Sequence, residues 1–181
     1  MIRMEGAWPA GPAIVVANHV SHLDGLILAS VLPEPILFGV DPDFATRQPW
    51  KAALWLACQL TGSEIVPLSS ERPLGIRALS RRLATGGKIG IFPEGKINRT
   101  EEPLLPLQPG AARLAILCGV PIIPVRILGL RKWFLSPAPT KEKQSFPRVS
   151  LEILEQIPPK GVVEDMMEGM ASSLGFPTKK G

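Results

Sequence analysis

Short runs of apolar, often β-branched residues recur along the chain, and between them the apolar positions change to helical spacing. The runs at 13–17, 35–40, 64–68, 88–92, 122–127 and 148–156 predict strands, while 22–32, 49–60, 73–85, 109–118 and 162–174 predict helices. Proline stands at helix starts such as Pro73 and Pro109, where a missing N–H costs nothing, and Gly86-Gly87 and Gly119 stand where helices stop. Strand–helix alternation of this kind predicts one α/β domain over 1–181, with a largely parallel central sheet flanked by helices. No internal repeat, linker or block of like charge interrupts it.

Two stretches stand apart. Residues 50–60 (WKAALWLACQL) are apolar nearly all the way round, which suits either a buried helix or one resting against lipid. Residues 131–135 (RKWFL) set two cations beside Trp133, Phe134 and Leu135, which suits an interfacial anchor or a packed loop.

Composition narrows the picture. With 181 residues, 45% hydrophobic and 20% charged, the chain is long and apolar enough for a core without covalent staples. Its two cysteines, Cys58 and Cys118, cannot build a disulfide framework, and both fall in apolar helical segments as small core residues do. Neither a signal-peptide pattern nor an apolar run long enough to span a bilayer is present, so a cytoplasmic location is expected. The net charge of +4 suits an anionic partner, but the basic residues are scattered and tyrosine is absent, so nucleic acid is not an expected partner.

Most catalytic signatures are missing. There is no G-x-S-x-G elbow, no P-loop and no G-x-G-x-x-G after the first predicted strand. Only His19 and His22 could supply imidazole, so no metal site is expected. What chemistry remains gathers in two places. Asn18-His19-Val20-Ser21-His22-Leu23-Asp24 follows the first predicted strand, so His19 stands at a carboxyl end, where open α/β sheets bind ligands. Asp24, in the first helical turn, can reach back to the imidazole, fix its tautomer and leave the second ring nitrogen as a proton acceptor. Such a pair has no nucleophile of its own, so the substrate must bring one. Ser21-x-x-Asp24 equally reads as a capping box, and His22 as an ordinary helix residue.

The second place is Phe92-Pro93-Glu94-Gly95-Lys96, a strand ending in a tight turn, with Arg99 close behind. Glycine allows close backbone approach, and Lys96 and Arg99 suit a phosphate; exposed turn charges are the plainer reading. Right-handed crossovers place both clusters at one sheet edge. In Val120-Pro121-Ile122-Ile123-Pro124-Val125 the two prolines point to an edge or entry strand.

In their order, NHVSHLD, FPEG and VPIIPV resemble the glycerolipid acyltransferase family that includes the 1-acylglycerol-3-phosphate acyltransferases, with the likeness extending over about 12–130. The resemblance implies that His19 is the general base and Asp24 its orienter. The free hydroxyl of a lysophospholipid, of the lysophosphatidic acid or lysophosphatidylethanolamine type, would then attack an acyl thioester. Acyl-CoA or acyl carrier protein serves as co-substrate and no cofactor is implied. Glu94 and Gly95 match the family's acceptor-binding motif, and Lys96 and Arg99 are expected to complete that pocket. Backbone N–H groups at the start of the helix after His19 are expected oxyanion donors.

Two positions depart from the family pattern. Ile97 stands where an arginine often follows FPEG, and GSEIVPL, ending at Leu68, lacks the arginine of the second motif, the nearest being Arg72. The run VPLSSERPLGIRALSRRL with FPEGKI is closer to the acyltransferase part of 2-acylglycerophosphoethanolamine acyltransferase/acyl-carrier-protein synthetases, which suggests a zwitterionic acceptor. The chain begins only about a dozen residues before its first predicted strand, so membrane contact is expected at 50–60 and 131–135, peripherally on the inner face. Two other classes fit these residues, a thioester hydrolase using water and a lipid-binding module without turnover.

Overall fold

The computed structural model describes residues 2–42, 50–68 and 74–175. The predicted helix starts at Pro49 and Pro73, and Arg72, lie outside the described residues. Seven strands form one sheet in the order β1-β7-β6-β2-β5-β3-β4. They are β1 (Ile2–Glu5), β2 (Ala13–Ala17), β3 (Ile36–Val40), β4 (Glu64–Pro67), β5 (Lys88–Ile91), β6 (Ile122–Leu128) and β7 (Val149–Ile153). Helices α1 (Asp24–Val31), α2 (Trp50–Thr61), α3 (Leu74–Ala84), α4 (Gly110–Cys118) and α5 (Val163–Leu174) connect or follow them.

β2 shows why the sheet is two-sided. Ala13, Val15 and Ala17 pack into one cluster with Ile27, Leu28 and Phe38, while Ile14 and Val16 pack into another with Leu79, Ala112 and Met166. Period-two alternation with both faces apolar is what a strand buried between helix layers requires. Helix α1 covers the first face with α2 beside it, and α3, α4 and α5 contribute to the second. Burying one Leu, Ile or Val at this depth is worth about 1.5–3 kcal/mol, so the two clusters supply most of what holds the layers together.

The sheet is parallel from β6 through β2, β5 and β3 to β4. β7 is antiparallel to β6, and β1 pairs in parallel with β7. Three points go beyond or against what the sequence predicts. β1 was not predicted: its IRME sequence is exposed throughout, and pairing with β7 rather than burial orders it. Pro121 and Pro124 do not mark an edge, because β6 lies between β2 and β7; Pro121 stands at the entry to β6 and Pro124 within it. Pro124 is tolerated because its peptide faces β7, where its carbonyl accepts from Leu154 N at 2.9 Å just beyond the paired residues of β7. And of the two settings that suit residues 50–60, α2 takes the exposed one: Trp55 is 64% and Leu60 77% exposed, with Leu56 half exposed, and Ala57 is the helix's one buried residue among those described.

At the end of the sheet away from His19, the buried Lys88 of β5 meets Glu34 at 2.5 Å and lies 5.2 Å from the Trp8 ring centroid. Trp8 also donates to Glu34 at 2.6 Å, closing the triad.

Candidate active site

The chain leaves the sheet after β2 through Asn18, whose side chain imitates a strand. Its amide donates to Ile127 O at 3.0 Å, and its Oδ1 accepts from Ile127 N at 2.7 Å. The β2–β6 ladder is thereby extended one step while the backbone turns out, placing His19 at the carboxyl edge. A buried amide with both ends satisfied makes this exit specific rather than a fraying end.

His19 Nδ1 lies 2.8 Å from Asp24 Oδ2. The same oxygen accepts Val20 N at 2.6 Å and Ser21 N at 2.8 Å, and Asp24 is fully buried. A carboxylate receiving two backbone N–H bonds is acceptor-only, so Nδ1 carries the imidazole proton and Nε2 is left as the base. Asp24 Oδ2 thus makes the return bond of a capping box, to Ser21 N, and holds the His19 ring with the same oxygen, while Leu23 is the N-cap and its own side chain makes no cap bond. Ser21 Oγ accepts from Leu23 N at 3.2 Å, which completes the helix entry. Among the expected oxyanion donors, the N–H groups of Val20, Ser21, Leu23 and Asp24 are engaged inside the loop. The His19 ring stacks on Phe92, centroids 4.2 Å apart and planes 18° from parallel.

The turn after β5 supports His19 from the other side. Buried Glu94 accepts His19 N at 2.6 Å with Oε1 and Leu105 N at 2.8 Å with Oε2. Burial pushes the Glu94 carboxyl above its ordinary value; the two N–H bonds and the charges of His19 and Arg131 oppose that rise. Gly95 adopts a φ of +70°, the left-handed region that closes the turn onto Phe92 O, and a Cβ there would meet only Gln108 at 3.5 Å. Its glycine is thus required by backbone conformation and not by crowding from other protein atoms. Asn98 N returns to His19 O at 2.7 Å, tying the two clusters by a second bond.

His19 opens onto a cavity of about 790 Å³. Leu26 and Ala29 of α1, Leu54 and Ala57 of α2, and Phe38 and Ile65 of β3 and β4 give it an apolar wall. Gly95, Lys96 and Arg99 line it on the side of the second cluster, with Lys96 and Arg99 exposed. Ile97 and Leu68, the two positions that depart from the family pattern, also line it. So does His22, in the turn before α1. Glu94 does not line the cavity; it lies behind His19. Asn18 and Arg131 do comparable supporting work and were not singled out as site residues, since their partners are backbone groups far away in the chain.

The acyltransferase family profile matches residues 2–128, and the chain belongs to that family. The 1-acyl-sn-glycerol-3-phosphate acyltransferase alpha of Mus musculus is 27% identical over 174 residues, spanning 92% of this chain and 57% of the relative. The beta enzyme of Homo sapiens is 31% identical over 160 residues, covering 84% and 53%. The lyso-ornithine lipid O-acyltransferase of Pseudomonas aeruginosa is 32% identical over 129 residues, covering 70% and 46%. The chain thus spans about half the length of the curated relatives it matches. Among solved structures, the 1-acyl-sn-glycerophosphate (LPA) acyltransferase of Thermotoga maritima has the same fold, with a TM-score of 0.69 at 22% identity over 94% of this chain and 68% of that one.

Proposed function

We propose that this chain transfers a fatty acyl group from an acyl thioester, on coenzyme A or acyl carrier protein, to the free hydroxyl of a lysophospholipid of the lysophosphatidic acid type. One observation carries the reading. His19 is held by a buried carboxylate with Nε2 as its base, and it lines a large, mostly apolar cavity rimmed by Lys96 and Arg99. An apolar wall suits an acyl chain, two cations suit a phosphate, and a lone base suits a substrate that brings its own hydroxyl. The names borne by the relatives support the same acceptor class.

In this mechanism Nε2 takes the hydroxyl proton as the oxygen attacks the thioester carbonyl. The new C–O bond forms, the C–S bond breaks, and the proton passes from the imidazolium to the leaving thiolate. No acyl-enzyme forms. Asp24 holds the ring and stabilises the imidazolium, and Glu94 fixes the backbone that carries the ring. Lys96 and Arg99 receive the acceptor's phosphate.

The reaction takes place at the inner face of the membrane. Trp55, Leu56 and Leu60 on α2, with Phe134 and Leu135, supply the apolar contact, and Lys51 is the one charged residue of α2. Mass spectrometry of the products from palmitoyl thioester and a panel of lysolipids tests the proposal. Diacyl product from lysophosphatidic acid is expected; acceptor-independent fatty acid release would identify a hydrolase instead.

A further inference from the structure

Arg131 follows β6 in a short 3₁₀ turn (Leu130–Lys132), and its guanidinium reaches across to the loop that follows the second cluster. Nη1 donates to Thr100 O at 2.8 Å; Nη2 donates to Glu102 O and, at 3.4 Å, to Pro103 O. Those carbonyls belong to one loop, 98–105. The loop's other ties are local or lead to the site: Asn98 Oδ1 accepts Thr100 N and Oγ1, Asn98 Nδ2 donates to Glu102 O at 2.9 Å, and Leu105 N bonds Glu94. Arg99, Thr100 and Leu105 of this loop line the cavity, whereas Arg131 does not.

We propose that Arg131 is the positioning residue of the acceptor side: it clamps the 98–105 loop as a wall of the cavity, and its charge balances the two carboxylates, Asp24 and Glu94, that hold His19. This rests on the acyl-transfer reading and extends it. Three carbonyls met by one planar fork fix the loop in a way a single point charge cannot. The charge is also well placed, because both Glu94 and Asp24 act on Arg131, and Asp24 Oδ1 is buried without a hydrogen bond among the described residues. Burial lowers the guanidinium's pKa and the two carboxylates counter that fall. The charged groups acting on Glu94 are His19 and Arg131, so removing Arg131 takes away one of the two charges that oppose protonation of Glu94.

The test compares wild type with Arg131→Gln and Arg131→Lys, using lysophosphatidic acid and palmitoyl-CoA, alongside amide hydrogen exchange over 98–105. Arg131→Gln is expected to raise the acceptor KM roughly 10–100-fold, leave the donor KM within about twofold, speed exchange in 98–105 and shift the acid limb of kcat/KM to higher pH. Arg131→Lys keeps the charge and lacks the fork, so it should retain the wild-type acid limb yet share the raised acceptor KM and the faster exchange. Unchanged exchange in both variants overturns the proposal, as does a fall in kcat with both KM values unchanged. A wild type that converts no lysolipid refutes the acyl-transfer reading instead, and the exchange contrast then decides the clamp by itself.

Discussion

Glu94 meets His19 through the backbone and not the ring: its Oε1 accepts the His19 N–H at 2.6 Å across 75 positions of sequence. With Oε2 on Leu105 N, both carboxylate oxygens are committed to main-chain donors. Beside the acceptor role proposed for it, FPEG therefore holds the histidine loop. A glutamine at 94 has one acceptor oxygen, and its NH₂ would face an N–H. Glu94→Gln is expected to cost about 1–3 kcal/mol in stability, the usual penalty for a buried donor left unpaired. Denaturant melts check this. Because burial raises the Glu94 pKa, protonation of the ionised, acceptor-only form begins above the ordinary value of 4.5. The two main-chain bonds that the ionised Glu94 accepts should thus weaken on the acid side at a higher pH than for a solvated glutamate. The stability sign is the opposite: a raised carboxyl favours the folded state at low pH, and that contribution is lost as pH rises through the folded pKa.

His19 and Asp24 should separate in stability although the proposed mechanism needs both for turnover. Removing the partly exposed imidazole strands no backbone group, so His19→Ala should fold with near wild-type stability. Asp24→Ala strips the acceptor from Val20 N and Ser21 N and should cost about 1–3 kcal/mol for each donor left dry. Thermal melts of the two variants side by side give the contrast.

The Lys88–Glu34 pair predicts a different asymmetry. Lys88 is 2% exposed at its side chain and Glu34 37%. Lys88→Met leaves a glutamate that water can reach, and should change stability within about 1 kcal/mol. Glu34→Ala strands a buried ammonium beside Trp8 and should cost about 3 kcal/mol or more. Burial raises the Glu34 pKa, but hydrogen bonds from Lys88 and Trp8 outweigh it and the net shift is downward, so the pair's support is present above pH 4.5 and lost as pH falls through the lowered value. Neither change should alter turnover, since the pair sits at the far end of the sheet.

These contrasts also mark what was legible in the sequence. Strands buried on both faces, such as β2 and β5, were readable because every position is apolar or small, or, like Lys88, hides its charge in a pair. Helix ends were readable where proline or glycine fixed them, as at Pro109 and Gly119. His19 and Asp24 were readable because one loop and one helical turn bring them together, with no long-range information needed. β1 was not, since its order comes from β7, some 145 residues away, and its own side chains are exposed. The roles of Asn18, Glu94 and Arg131 share that character: each side chain bonds main-chain groups of a distant segment, and a backbone partner leaves no residue type to recognise. Whether α2 is buried or exposed stayed open, because an apolar helix has the same composition whether protein or lipid covers it.

Cys58 offers a probe of the cavity from inside. It lines the apolar wall on α2, whereas Cys118 does not. Burial pushes its thiol above the ordinary value of 9.0, and the charge of Glu64 adds to the rise. Maleimide labelling at Cys58 should be slow at neutral pH and accelerate as pH rises toward the raised pKa, since the thiolate is the nucleophile. A bound palmitoyl chain should protect Cys58 and leave Cys118 unaffected. Peptide mapping of the two sites would show it, and equal labelling with and without the lipid would place the acyl chain elsewhere.

The most direct measurement is thiol release from palmitoyl-CoA and palmitoyl-carrier protein, with and without lysophosphatidic acid, for wild type and folded His19→Ala. Release that requires the lysolipid and falls at least about 10²–10⁴-fold in the variant is the predicted result. Lysolipid-dependent release that survives in folded His19→Ala would contradict the assignment of His19 as the base.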